Sequence, residues 1–210
     1  DFRNRDLIIK AAGVPLNSPF IAEARQRGIT IEMSKALFAK LSGAKIIGVT
    51  GTRGKTTVTQ LIYEILSKGL PLKTKDPRVT LEIKKVWLGG NVLGVSTLAL
   101  LPKVKLGDWV VLELDSWQLQ GFGQDKISPQ IAVFTNLLPD HLNYYHGDME
   151  LYFEDKANIY KYQKKDDIVF VGREIIEKVK SSGRTAVTTD LPKNWKLNLP
   201  SLMLQSKQQA

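Results

Sequence analysis

From Thr50 to Thr57 the chain reads Thr-Gly-Thr-Arg-Gly-Lys-Thr-Thr, residues whose types and order suit the gripping of a phosphate chain. Gly51 and Gly54 leave room for backbone N–H groups to approach an anion. Lys55 offers a cation to the terminal phosphates, and Thr56 offers a hydroxyl to a hard divalent cation such as Mg2+. Thr52 and Thr57 complete the expected nucleotide contacts, together with Arg53, which either adds a charge near the phosphates or points to solvent. The strict phosphate-loop spacing asks for one more glycine, at a position held by Val49. A ligand-free strand-to-helix turn is the plainer reading, and Gly-Lys-Thr-Thr at a helix start argues against it. Two further groups could complete such a site: Glu113, at the end of an apolar run, and Asn136, Asp140 and His141, just after another. Alone, Glu113 is as readily a solvated strand end and His141 a cap or packing residue. His146 reads as a surface residue.

These residues need elements to hold them. The run 44–50 reads as a strand, and Val58, Leu61, Ile62, Ile65 and Leu66 share one helical face, ended by Gly69. The uninterrupted apolar runs 109–114 and 131–135 suit central parallel strands covered on both faces. A helix over 149–162, a strand over 167–171, a helix near 174–181 and a strand over 184–188 continue the alternation. Strands alternating with helices predict an α/β fold with a parallel sheet, and ligands then sit beyond the carboxyl ends of the strands. Ahead of this lie an expected buried strand over 6–12, a helix opened by Ser18 and Pro19 and stopped by Gly28, a strand over 29–33 and a short helix over 34–43. That opening piece is expected to be the tail of another domain. Residues 68–85 are expected to form a loop or small hairpin, and the stretch after 190 is poorly patterned.

The chain has 210 residues, 43% of them hydrophobic, enough for a sizeable core. No apolar run reaches the ~18–20 residues that a spanning helix needs, no secretory leader is legible at the start, and there is no cysteine to form disulfides or thiolate metal sites. A cytoplasmic protein is expected. The net charge of +9 favours anionic partners. The plainer reading is a lysine-rich solvated surface, and a small polyanionic substrate fits as well; without an arginine-rich tract or an RNP-like aromatic motif, neither a nucleic-acid nor a membrane partner is expected.

Five motifs in order, over about residues 44–162, resemble the Mur ligase family, ATP-dependent amide-forming enzymes of peptidoglycan assembly. The family's loop T-G-T-x-G-K-[ST]-T is matched by Thr50 to Thr57, with Arg53 where asparagine is commoner; this loop does not keep the glycine at 49. Its G-G-N segment appears at 89–94, with one residue inserted before the last glycine. Its E-x-S-S-[FW]-Q-L segment appears from Glu113 to Leu119, with Asp115 for the first serine. Its N-x-x-x-D-H segment runs from Asn136, and its Y-x-x-x-K-x-x-I segment is Tyr152, Lys156 and Ile159.

The resemblance implies a P-loop, Rossmann-like ATPase domain over 44–210, with helices on both faces of a parallel sheet. The end of a UDP-substrate-binding domain would occupy 1–43, and the amino-acid-binding domain would be absent. Residues 11–31 are similar to the end of the first domain of the D-glutamate-adding branch, with Ala11 and Ala12 for Ser-Pro. The implied substrates are ATP, UDP-N-acetylmuramoyl-L-alanine and D-glutamate, and the enzyme is expected to be a monomer. Lys55, Glu113, His141 and Lys156 are the implied catalytic residues. Thr56 and Glu113 would hold one Mg2+; His141 and a carbamylated Lys156 would hold a second. Asn91, Ser116 and His141 would contact the UDP substrate. Other amino-acid ligases of the family, a folate polyglutamate synthase and an inactive nucleotide-binding fragment remain alternatives.

Overall fold

A computed structural model describes residues 4–68, 85–91, 96–184 and 186–188. Six parallel strands form one sheet in the order β4-β5-β3-β6-β7-β8. They are β3 (Lys45–Thr50), β4 (Val86–Gly90), β5 (Trp109–Glu113), β6 (Ile131–Phe134), β7 (Ile168–Val171) and β8 (Ala186–Thr188). A separate parallel pair, β1 (Leu7–Lys10) and β2 (Thr30–Met33), precedes them.

The sheet is covered on both faces, which is why β5 can be buried at every position. On one face, α3 (Lys55–Ser67) lays Val58, Ile62, Tyr63 and Leu66 over Ile47, Val49 and Val111. On the other, α2 (Ser34–Leu41), α4 (Ser116–Gln124), α5 (Met149–Ala157) and α6 (Ile176–Ser181) close a larger core around Val110, Leu112, Leu119, Phe122 and Phe134. Between β1 and β2, α1 (Pro19–Gln26) starts as the sequence suggests. Ser18 accepts the Ile21 N–H at 3.4 Å, Pro19 occupies the first turn, and Gly28 takes a φ of 71° just past the end.

Several expectations change. β1 is not buried: Leu7 and Ile9 are 44% and 47% exposed. The helix expected over 149–162 stops at Ala157, where i→i−3 bonds from Ile159 and Tyr160 tighten the chain. Two elements beside the site, α4 and β4, carry no clear periodic signal. α4 contains Gly121 and Gly123, poor helix formers. Both are needed for packing, because a Cβ on Gly121 would lie 2.8 Å from that of Met33 and one on Gly123 would lie 2.6 Å from the Asn158 amide. The expected hairpin of 68–85 and the tail after 190 fall almost wholly outside the described residues.

Candidate functional site

β3 is the point where the sheet changes direction. The chain leaves it through α3 towards β4 and β5, and later returns to add β6 on its other side. The crevice outside the carboxyl end of such a strand is where open α/β sheets hold ligands. Gly51, Thr52, Arg53 and Gly54 fill this turn. Gly51 has a φ of 142°, and a Cβ there would lie 1.9 Å from Thr135 Oγ1, so only glycine fits. Gly54 is the N-cap of α3 with a φ of 79° and no side-chain cap bond, and the first turn carries no acid. The helix therefore turns backbone N–H groups and the positive end of its dipole to the crevice.

The loop is braced from β6. Asn136 Oδ1 accepts the Arg53 N–H at 2.9 Å while its Nδ2 donates to Arg53 O at 3.1 Å. The Thr135 hydroxyl donates to Arg53 O at 2.8 Å. Thr52, 7% exposed, donates to Leu138 O at 3.1 Å and accepts from Leu138 N at 2.9 Å. Asn136 and Thr135 thus fix loop shape, a role that sequence motifs alone do not separate from ligand binding. The Arg53 and Thr57 side chains are exposed at the loop rim.

Lys55 begins α3 and folds back to donate to Thr52 O at 3.0 Å. Beside it Thr56 hydrogen-bonds Glu113, the last residue of β5. Glu113 is 3% exposed, and its Oε2 is buried without a hydrogen-bond partner. Burial pushes its carboxyl pKa up, with Asp115 adding to the rise; the Thr56 bond and the charge of Lys55 act against it. β4 brings Asn91 alongside: its N–H donates to Glu113 O at 3.1 Å, and its side chain is exposed. The approach needs Gly90, where a Cβ would lie 2.3 Å from the Glu113 backbone.

From the opposite wall α5 inserts Lys156. It is 1% exposed, and its Nζ donates to Gly51 O at 2.8 Å and lies 4.7 Å from the Tyr152 ring centroid. Desolvation, and then the nearby charge of Lys55, lower its pKa to about 7 against the pull of Asp115, Asp140 and Asp155. His141, exposed and with a φ of 52°, packs its ring 4.7 Å from Trp117 and 6.2 Å from Tyr152, with its N–H on Asp140 Oδ1 at 2.8 Å. Lys55, Thr56, Glu113 and Lys156 are therefore linked directly around the loop, and His141 joins them through the aromatic wall. Ser116 is the outlier. It is 1% exposed and its hydroxyl bonds Tyr145, so it braces the wall rather than reaching the crevice. Its neighbour Asp115 caps α4, accepting the Gln118 N–H at 2.7 Å, and its charge reaches Glu113, Lys156, Lys10 and Lys35. The serine-to-aspartate change was visible in the sequence; its reach across the crevice was not.

A parallel α/β sheet with a glycine-shaped turn, an uncapped helix start and a strand-end carboxylate defines a phosphate-loop domain. The Mur ligase middle domain family matches residues 49–200. The UDP-N-acetylmuramoylalanine–D-glutamate ligase of Roseiflexus sp. (strain RS-1) is 38% identical over 169 residues, covering 80% of this chain and 33% of that protein. The ligase of the same name from Geobacillus kaustophilus is 35% identical over 182 residues, covering 86% and 37%. Among solved structures, the MurF ligase of Thermotoga maritima in complex with ADP aligns with a TM-score of 0.51 at 21% identity, over 90% of this chain and 50% of that one. MurC of Thermotoga maritima aligns with a TM-score of 0.51 at 25% identity, over 89% and 39%. The chain belongs to the Mur ligase family, and it spans about a third of the length of the curated relatives it matches.

Proposed function

We propose that the chain is the ATP-binding part of a ligase that adds D-glutamate to UDP-N-acetylmuramoyl-L-alanine in the cytoplasm. Residues 44–210 would form the ATP domain and residues 1–43 the end of the UDP-substrate domain. One observation carries the reading of the site: Glu113, buried with one oxygen unpaired, stands against Thr56 and Lys55 at the mouth of a phosphate loop. The names of the relatives support the choice of substrate.

A carboxylate of the UDP-linked substrate attacks the γ-phosphorus of ATP, and ADP leaves. The amine of D-glutamate then attacks the acyl phosphate carbon and phosphate leaves. Little covalent chemistry falls to the protein; it positions the reactants and offsets their charge. The α3 N–H groups and Gly51 to Gly54 cradle the phosphates, and Lys55 balances charge on the γ-phosphoryl group. Asn91 and His141 orient the UDP substrate. Arg53 and Thr57 border the phosphates.

The donor set suits hard cations. No cluster of three or more His, Asp or Glu side chains exists among the described residues, so phosphate and hydroxyl oxygens would complete the ligand shell. Thr56 and Glu113 would hold one Mg2+ on the nucleotide. His141 and Lys156 would hold a second, with Lys156 carrying a carbamate. A lysine with a pKa of about 7 is half neutral at neutral pH, the form that adds CO2. Bound Mg2+ would supply charge neutralisation between the two anionic reactants.

The test is phosphate release by the whole protein with ATP, UDP-N-acetylmuramoyl-L-alanine and a panel of amino acids. D-glutamate alone should support turnover. Preference for L-alanine, a diamino acid or a dipeptide would refute the substrate reading while leaving the site intact. Lys156→Ala should lose activity that short-chain carboxylates partly restore; full activity without them would refute the carbamate.

A further inference from the structure

All six strands of the main sheet are parallel, so all their N-terminal ends lie along one edge, opposite the nucleotide crevice. That edge is basic. Lys45 is the first residue of β3, Lys85 immediately precedes β4, and Lys103 and Lys105 lie in the turn entering β5. The turns entering β6 and β7 add Lys126, Lys164 and Lys165. All seven are exposed, and no ion pair joins any of them to a carboxylate among the described residues. The backbone puts them in line: Asp108 O accepts from Lys45 N at 2.9 Å, Lys85 O from Trp109 N at 2.8 Å, and Gln130 O from Ile168 N at 3.0 Å.

Among the described residues the acids of this edge offset only part of that charge: Asp108 acts on Lys85 and Lys105, and Asp167 on Lys164. Asp108 is 5% exposed and turned inward, accepting from Trp87 Nε1 at 2.9 Å and Lys105 N at 3.0 Å. Asp125 is paired with Lys40 at 3.0 Å. Asp166 and Asp167 remain near the β7 turn. The lysines stand at the entries of five adjacent strands, β4-β5-β3-β6-β7, which at the usual spacing make a cationic strip about 19 Å long.

The same edge carries two apolar side chains in water. Leu106, in the turn entering β5, is 84% exposed, and Leu41, at the end of α2, is 62% exposed. Leu106 lies over the turn that follows Leu41: a Cβ at Gly43 would lie 3.4 Å from Leu106 Cδ1. Lysines around protruding leucines match a surface that is both negative and apolar just beneath its charges. A nucleic acid offers phosphates but nothing to the leucines, and among the described residues the aromatic rings near this edge, Trp87 and Tyr162, are half-buried, Trp87 beneath the Lys85 amine at 4.0 Å.

Against the expectation from the sequence of no membrane partner, we propose that the strand-N-terminal edge of the sheet docks the protein on an anionic bilayer, lysines on the headgroups and Leu106 and Leu41 in the interface. The nucleotide crevice then faces away from the bilayer and stays open to substrates. The inference is independent of the ligase reading, since no residue of the crevice takes part.

The experiment is sedimentation of the full-length protein with phosphatidylglycerol–phosphatidylcholine vesicles and with pure phosphatidylcholine vesicles. Binding is expected to the mixed vesicles alone, and to fall as salt rises. Lys103→Glu with Lys105→Glu should weaken it by at least roughly thirty-fold. Leu106→Asp should weaken it about tenfold. Circular dichroism and ATP binding should match wild type in both variants, because these side chains are exposed and outside the site. No binding to mixed vesicles, equal binding to pure phosphatidylcholine, or indifference to both variants would each overturn the proposal. So would tight duplex DNA binding that these variants abolish while vesicle binding stays as in wild type.

Discussion

Replacing Lys156 by methionine keeps the aliphatic body of the side chain and removes its ionisable head. The wild-type amine has a pKa of about 7 against 10.5 for a free lysine, with burial the largest cause. Its native state therefore binds fewer protons than the unfolded chain between those two values, and stability rises with pH across that window. Below pH ~7 both states are protonated and the full cost of a buried cation is present. At pH 7 that cost is roughly 4 kcal/mol, and by pH 9.5 it has fallen to about 1 kcal/mol. Methionine removes the cost but leaves Gly51 O without its donor at 2.8 Å, a loss of about 1–3 kcal/mol. Lys156→Met should thus be more stable than wild type at pH 7, by roughly 1–3 kcal/mol, and should lose that advantage by pH 9.5. Urea denaturation at the two pH values in CO2-free buffer measures it. Parallel pH profiles for the two proteins would refute the claim that Lys156 is a desolvated amine beneath the loop.

Glu113→Gln tests the other buried charge. The pKa of Glu113 is raised from 4.5, so its stabilising contribution is present below that value and lost as pH rises through the folded pKa. At pH 7 the variant without nucleotide should melt no lower than wild type, yet lose the rise in melting temperature that ATP with Mg2+ brings; retention of that rise would exclude Glu113 as a metal ligand. Gly51→Ala places a Cβ 1.9 Å from Thr135 Oγ1 at a φ of 142°, and should cost about 3 kcal/mol by urea denaturation. Gly54→Ala meets no atom within 4 Å and carries only left-handed strain, about 1–2 kcal/mol. Equal losses would mean that the loop is not held against Thr135.

Most of the sheet is legible in the sequence because its strands are long apolar runs, as in β5 and β6, and because α3 repeats its apolar residues at helical spacing. The loop is legible because glycine, lysine and threonine are all required at one strand-to-helix turn. What escaped are features decided by neighbours far along the chain. α4 looks unlike a helix because Gly121 and Gly123 meet Met33 and Asn158. β1 reads as buried by composition, yet Leu7 and Ile9 are open. Ser116 sits within a motif, but its hydroxyl bonds Tyr145. The placing of Lys156 beneath Gly51, 105 positions apart, comes from tertiary packing of α5 that no local pattern records.

The central claim is that this turn grips ATP through Lys55, and calorimetric titration of Mg2+ with ATP into the full-length protein tests it most directly. Wild type should bind with a stoichiometry of one, and Lys55→Ala should weaken binding at least roughly tenfold, the loss of a charge-assisted contact to phosphate. ATP binding equal in the two proteins would contradict the account.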